Sequence, residues 1–400
     1  METLTSSFIL PKTAKLDDNQ QNVVRKILDF SATNIPCDKT AVFVLSGEAG
    51  AGKSIVLASA FEKLQKLSRQ PNTAFSGFDN KLLVNHNEML KIYKELAQQS
   101  TYLYKKDFMK PTPFINHYQK EHKKAEIIMI DEGHLLLSKS DPFNKFQQTN
   151  QLVEIMKLAK VVILVFDFAQ VIKLKSYWQP NWLKSLLKDY PTQYYYLDQQ
   201  YRLQDAKVTD WINAFVKGHL APKPTTKNFE LEFFADGLSL YEKIKTKNQQ
   251  FGLSRLLATT DFPFTVLDDK KWFVTAGNLK LPWDKLNFTD RPWAERPETI
   301  NEVGSIYTIQ GFDLNYAGVI LGPSVKYDEA EEKIYIDSNL YEDHEAFKTR
   351  TDVASLAKAK NEIVANSINI LFKRGKFGLY IYATDATLRK HLLALKNTKI

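Results

Sequence analysis

AVFVLSGEAGAGKSIVLASAFEKLQKL, residues 41–67, decides the fold. AVFVLS (41–46) is a short apolar run, the pattern of a strand buried on both faces of a parallel sheet. Residues 53–67 carry their apolar side chains at helical spacing. Between strand and helix, Gly47, Glu48, Ala49, Gly50, Ala51, Gly52, Lys53 and Ser54 fit G-x-x-x-x-G-K-[ST] without a gap. Glycines let backbone N–H groups turn toward phosphate oxygens, and the start of the following helix adds partial positive charge. Lys53 has the reach and charge for the β and γ phosphates, and the Ser54 hydroxyl suits Mg²⁺. The stretch therefore predicts a strand, a phosphate-binding loop and a helix, with ATP and Mg²⁺ as cofactors.

Outward from the loop, three more apolar runs follow: EIIMID (126–131), VVILVFD (161–167) and YYYLD (194–198). Helical stretches lie between and after them, for instance at 145–160 and 180–189, and another precedes the loop at 13–30 with Val23, Val24, Ile27 and Leu28 in register. Apolar strands alternating with helices predict an α/β fold with a parallel sheet, whose strand carboxyl ends line the ligand crevice. Asp131 ends one run and is placed to share Mg²⁺ with Ser54. Glu132 beside it is placed to orient and deprotonate an attacking water. Gln170, in DFAQ, suits a γ-phosphate or the lytic water, and Gln20 upstream offers the donor and acceptor that match an adenine edge. His134 reads either as a link to nucleic acid or as a structural histidine.

From about 218 to 300 the texture changes to prolines, tryptophans and mixed charge, which predicts an irregular insertion. Strand patterns resume at YAGVILG (316–322), KIYID (333–337) and GLYIYATD (378–385), with a helix at 352–368. The division expected is an ATP-binding domain at 1–190 and a second α/β domain at 191–400. Arg202, after Gln200 and Tyr201, and Arg374, in LFKRGKFG, flank this second half, and arginine can donate to charge developing on a transferring phosphoryl group. Thr308, Gln310 and Gly311 form a loop before a strand, suited to touching nucleotide and nucleic-acid backbone together. Phe262, Phe264, Trp272, Trp283 and Trp293 are either base-stacking platforms or the core of the insertion.

At 400 residues the chain is long enough for two domains, and 44% hydrophobic residues suffice for two cores. A formal net charge of +8 favours phosphate polyanions as partners. The single cysteine, Cys37, excludes an internal disulfide framework and a cysteine-rich zinc site, and fits a reducing cytoplasm. It reads as a small buried apolar residue. No apolar run reaches the ~20 residues of a membrane helix, and the N-terminus lacks a secretory pattern.

In this order the motifs resemble superfamily 1 helicases, and more closely the Schlafen group 3 type DNA/RNA helicase domain. The resemblance rests on GEAGAGKS, KPTPFINHY (110–118), IIMIDEGHLL, VFDFAQ, LDQQYRL, LSRLLATTDFPF (253–264), GSIYTIQGFDLNYAGVILGP and LFKRGKFGLYIY, and spans about residues 16–390. It implies two RecA-like domains with parallel sheets. It implies an adenine contact for Gln20, Walker roles for Lys53, Ser54, Asp131 and Glu132, and a γ-phosphate sensor in Gln170. Arg202 and Arg374 become arginine fingers, and Thr308 and Gln310 join the fifth helicase motif. The implied activity is an ATP-dependent helicase or translocase on nucleic acid, single-stranded DNA or alternatively RNA. The other reading is a nucleotide-dependent switch that binds nucleic acid or a protein partner without unwinding. Tyr307 stands where the family usually has histidine, Lys373 where it has threonine, and Gly133 where alanine is commoner. KLLVNHNEML (81–90) occupies the place of a threonine-rich DNA-contact motif.

Overall fold

The strand that leads into the glycine loop lies inside its sheet, with a neighbour on each side. The computed structural model describes residues 16–48, 50–197, 205–264, 271–284, 292–309, 311–348, 350 and 353–395. These form two units, one holding residues 16–171 and 175–197, the other 172–174 and 205–395.

In the first unit, α1 (Asp18–Asn34) starts on a capping box in which the Asp17 carboxylate accepts from the Gln20 amide and the Gln20 side chain accepts from the Asp17 amide. The chain continues through β1 (Ala41–Gly47), α2 (Lys53–Ser68), β2 (Asn80–Val84), α3 (Asn87–Gln99), β3 (Phe108–Met109) and α4 (Pro111–Lys120). It ends with β4 (Ala125–Asp131), α5 (Gln151–Lys157), β5 (Ala159–Phe166), α6 (Pro180–Leu187) and β6 (Thr192–Leu197). The sheet order is β3-β2-β4-β5-β1-β6, and every pairing is parallel. Val42, Phe43 and Leu45 of β1, Ile127, Ile128 and Met129 of β4, and Val161, Val162 and Ile163 of β5 are fully buried, as strands covered on both faces require. The order brings the carboxyl ends of β1, β5 and β4 side by side. That is the crevice in which such sheets bind ligands.

The second unit contains α7 (Ala206–Val216), β7 (Glu230–Phe233), α8 (Gly237–Phe251), β8 (Ser254–Ala258), β9 (Phe273–Ala276), β10 (Leu279–Asp284), β11 (Val303–Gly304) and α9 (Ile306–Ile309). Then come β12 (Leu314–Leu321), β13 (Val325–Asp328), β14 (Lys333–Ile336), α10 (Leu356–Phe372), β15 (Gly375–Ala383) and α11 (Ala386–Ala394). Its main sheet has the order β7-β15-β12-β8-β11-β10-β9, parallel except for the β9–β10 hairpin. Both units are thus α/β with parallel sheets, the architecture expected of two RecA-like domains.

Three expectations change. The boundary at 191 assigned YYYLD to the second half, but β6 pairs with β1 and closes the first sheet. The stretch 218–300 is not an insertion: β8 lies between β12 and β11 in the sheet, and β7 forms one edge of it. Its prolines and tryptophans flank short regular elements, which hid their periodicity. KIYID forms a strand as expected, β14, which pairs with β13 in a separate two-stranded hairpin. Cys37, expected in the core, is exposed. Among the described residues of the stretch, 3₁₀ turns lie around 293–301. There Arg255 of β8 pins the chain by donating to Thr299 Oγ1 at 2.8 Å and to the Arg296 carbonyl at 2.9 Å. Phe262 and Trp283 belong to the core of this unit, with Phe264 and Trp272 packed against it. Trp293 is also buried. These five aromatics are core, so the stacking role considered for them is not what the fold gives them.

Candidate nucleotide site

Three strand ends and one helix start build the site. Gly52 is the N-cap of α2 in a left-handed conformation (φ 79°), and no side chain caps the helix. A helix start without its own cap is suited to an anion. Lys53 is buried, and its ammonium donates to the carbonyls of Gly47 at 2.6 Å and Glu48 at 2.8 Å. It also pairs with Asp167 Oδ2 at 3.3 Å. The Ala51 amide bonds back to the Glu48 carbonyl at 3.1 Å, closing the loop's turn with Gly50 at φ 91°.

Asp131, at the end of β4, is the second centre. Its carboxylate accepts from Ser54 Oγ at 3.2 Å, the Tyr93 hydroxyl at 2.7 Å and the Glu132 amide at 2.9 Å. Burial, and then the neighbouring Glu132 charge, push its pKa up to about 6 despite those three donors. Burial, and then the Asp131 carboxylate itself, raise the Tyr93 hydroxyl well above its ordinary range. A buried carboxylate beside a second acid and a hydroxyl is a hard-oxygen set. It fits Mg²⁺, which binds through one or two carboxylates and takes its other ligands from phosphates and water. No cluster of three acidic, histidine or cysteine side chains that could cage a metal occurs among the described residues.

Glu132 sits at φ 51°, a left-handed conformation that costs a non-glycine residue energy and that concentrates at functional sites. Its Oε2 is 3.2 Å from Nε2 of His134. His134 is fully buried, and desolvation lowers its pKa to about 4, so the ring is neutral. It is a structural neighbour of Glu132, not a surface contact for a polymer. Gly133 between them explains its own departure from alanine: a Cβ there would lie 2.4 Å from Leu164 Cδ1 and 2.7 Å from the Val165 carbonyl.

Gln170 is buried, and its amide donates to Asp167 Oδ2 at 2.7 Å. Burial acts to raise the Asp167 pKa, but the Lys53 ammonium and the Gln170 amide outweigh it and hold the carboxyl below its ordinary value. Gln170, Asp167 and Lys53 therefore form one connected chain. Gln20 spends its side-chain oxygen on the α1 capping box at 3.2 Å from the Asp17 amide.

The structure thus gathers Gly47, Glu48, Gly50, Ala51, Gly52, Lys53, Ser54, Asp131, Glu132 and Gln170 around one loop. Gly311 and Arg374 belong to the second unit. There Arg374 is buried, donates to the Phe312 carbonyl at 3.2 Å and lies 3.9 Å from Asp313 Oδ1. Gly311 takes φ 87° at the start of that same turn. Thr308 Oγ1 accepts from the Ser305 amide at 2.9 Å and closes the turn before it. Of the two family departures here, the Tyr307 hydroxyl bonds Asp343, and Lys373 donates to Asn213 Oδ1 at 2.8 Å. Ala49, Arg202 and Gln310 lie outside the described residues.

Sequence reasoning missed two participants. Asp167 was visible as a strand-ending aspartate, but its partnership with Lys53 was not. Tyr93 carried no signal, because it reaches Asp131 from α3, an element whose sequence reads as an unremarkable amphipathic helix.

The family model described as Schlafen group 3, DNA/RNA helicase domain, matches residues 40–385. A Saccharomyces cerevisiae relative, described only as uncharacterized protein YPL245W, is 39% identical over 94% of this chain and 90% of its own length. Among solved structures, a Pif1 helicase from Candida albicans is 13% identical with a TM-score of 0.37, covering 96% of this chain and 100% of its own. A Pif1 helicase from Bacteroides, in complex with ADP-AlF3 and single-stranded DNA, is 12% identical with a TM-score of 0.32, covering 95% of this chain and 94% of its own.

Proposed function

The chain belongs to the Schlafen group 3 DNA/RNA helicase domain family, and from that premise we propose that it hydrolyses ATP to drive movement on nucleic acid, as a helicase or translocase. The observation that carries this is the meeting of Lys53, Ser54, Asp131, Glu132 and Gln170 around a single uncapped helix start.

In this reading Lys53 leaves Asp167 for the β and γ phosphates, and the α2 amides hold the remaining phosphate oxygens. Ser54 and Asp131 would hold Mg²⁺, which neutralises charge on the β and γ oxygens when bound. Glu132 accepts the proton of a water that attacks the γ-phosphorus; the bond to the β–γ bridging oxygen breaks, and ADP leaves with that electron pair. Gln170 orients the water or the γ-phosphate. Arg202 and Arg374 donate to the charge developing on the transferred group. Gln20 meets the adenine edge, and Thr308, Gln310 and Gly311 couple nucleotide to nucleic acid.

The test is steady-state ATP hydrolysis with Mg²⁺, alone and with single-stranded DNA, single-stranded RNA and duplex, using Glu132→Gln as control. Stimulation by one polymer supports the motor and identifies its track. A nucleotide-dependent switch is the second reading, favoured by Tyr307 and Lys373, which are bound to Asp343 and Asn213 within their own unit. Turnover indifferent to every polymer selects the switch, and directional strand displacement excludes it.

A further inference from the structure

Phe143 is 93% exposed, while Tyr196 at 58% is the next most exposed large apolar or aromatic side chain among the described residues. Tyrosine tolerates water through its hydroxyl, whereas a phenylalanine ring gains nothing from it. An isolated exposed apolar residue usually needs no explanation. Here the backbone beneath the ring demands one.

The turn at 141–146 is closed by a reciprocal pair, the Asp141 amide to the Phe146 carbonyl at 2.7 Å and the Phe146 amide to the Asp141 carbonyl at 3.1 Å. The Asn144 and Lys145 amides bond back to Asp141 and Pro142 at 3.0 and 2.9 Å. The Asp141 carboxylate, itself buried, accepts from Asn144 Nδ2 at 2.8 Å and Lys175 Nζ at 3.2 Å. Asn116 of α4 holds the Lys145 carbonyl at 3.2 Å, and Phe146 is fully buried as the anchor. One aromatic at the end of this turn is locked into the core while the other is held out in water.

Exposed Asn144 and Lys145 flank the ring. Among the described residues Lys145 forms no ion pair. A bare π-face, an amide and an unpaired ammonium on one rigid apex are the groups that hold an unpaired nucleotide by its base, its edge and its phosphate. We propose that Phe143 is a stacking contact for an unpaired base of the nucleic-acid strand, with Lys145 on the adjoining phosphate. This rests on the reading that the chain binds nucleic acid. The rigid turn means that little ordering entropy is lost when the base arrives.

The test is a fluorescence-anisotropy titration of the full chain with single-stranded DNA and RNA oligonucleotides, and with an abasic oligonucleotide of equal length. Phe143→Ala is expected to weaken binding to base-bearing strands about tenfold, the scale of one base–aromatic stack. It should leave abasic binding and the thermal midpoint unchanged. Phe143→Trp should restore affinity and show quenched indole emission on binding. Equal affinity of Phe143→Ala and the parent for base-bearing strands overturns the proposal and leaves a protein partner for the ring. Equal loss on abasic strands also overturns it. A parent chain that binds none of the oligonucleotides fails the nucleic-acid reading itself, and the stacking contact with it.

Discussion

Each unit buries an aspartate at the carboxyl end of a strand, and burial pushes both carboxyls to about 6, yet the two serve different ends. Asp131 lies beside an uncapped helix start, with Ser54 and Glu132 for neighbours. Asp261, just past β8, is walled in. It accepts the Ser324 amide at 3.0 Å and bonds the Thr259 hydroxyl, and the Thr259 oxygen in turn takes the Gly322 amide at 2.8 Å. A Cβ on Gly322 would lie 2.3 Å from the Asp261 Cβ. A perturbed carboxylate therefore marks a site only when something beside it is shaped for a ligand. Asp131 has the glycine loop, whereas Asp261 has the Thr259 hydroxyl and the Ser324 amide, which tie the end of β8 to the end of β12.

The comparison breaks most readily at the chemistry. Arg374→Ala should lower ATP turnover by ~10³-fold or more if its guanidinium meets the transferring phosphate. Near-normal turnover in a folded variant removes that role and leaves Arg374 as the clamp on the Phe312 turn. Next, Asp131→Asn should cost hydrolysis ~10²-fold or more, the loss of metal-assisted charge stabilisation. Asp261→Asn should leave it within about twofold, and equal losses in parallel steady-state assays would erase the distinction between the two carboxylates.

Smaller effects separate the two on stability. Asp261 in the folded chain keeps its proton up to about pH 6, whereas the unfolded chain releases it near 3.8. Its contribution is thus most favourable below the lower value, declines as pH rises between the two, and is lost above the higher one. Urea unfolding from pH 4 to 7 should show the parent losing on the order of 3 kcal/mol relative to Asp261→Asn. A constant difference across that range would mean the carboxyl ionises normally. Last, Gly322→Ala and Gly133→Ala should each destabilise by about 1–3 kcal/mol through overpacking. The first should lower the melting of the second unit and the second that of the first. A single shared shift in calorimetry would show that the two units melt as one.

The first unit was legible because its strands are long, apolar and punctuated by glycine or aspartate. Residues 41–54 alone specify the loop, and Asp131 and Gln170 follow at strand ends. β2 and β3 were not legible, since Asn80–Val84 is short and Phe108–Met109 shorter still. Tyr93 escaped because its role comes from tertiary placement. In the second unit β7 and β8 were hidden, because Glu230–Phe233 and Ser254–Ala258 are brief and the charged helix between them carries a weak apolar stripe. What a sequence displays is periodicity and punctuation. The sharing of a buried proton or an ammonium between distant strand ends leaves no trace in either.

Lys53 is held by two carbonyls and the Asp167 carboxylate. On the proposed reading, nucleotide binding at this loop would be an exchange in which the protein's own oxygens compete with phosphate. The affinity gained is a difference between two acceptor sets, and a weakly charged anion gains least. On that reading, drawing Lys53 away would leave Asp167 to the Gln170 side chain and the Ala169 amide, which couples the phosphate site to Gln170.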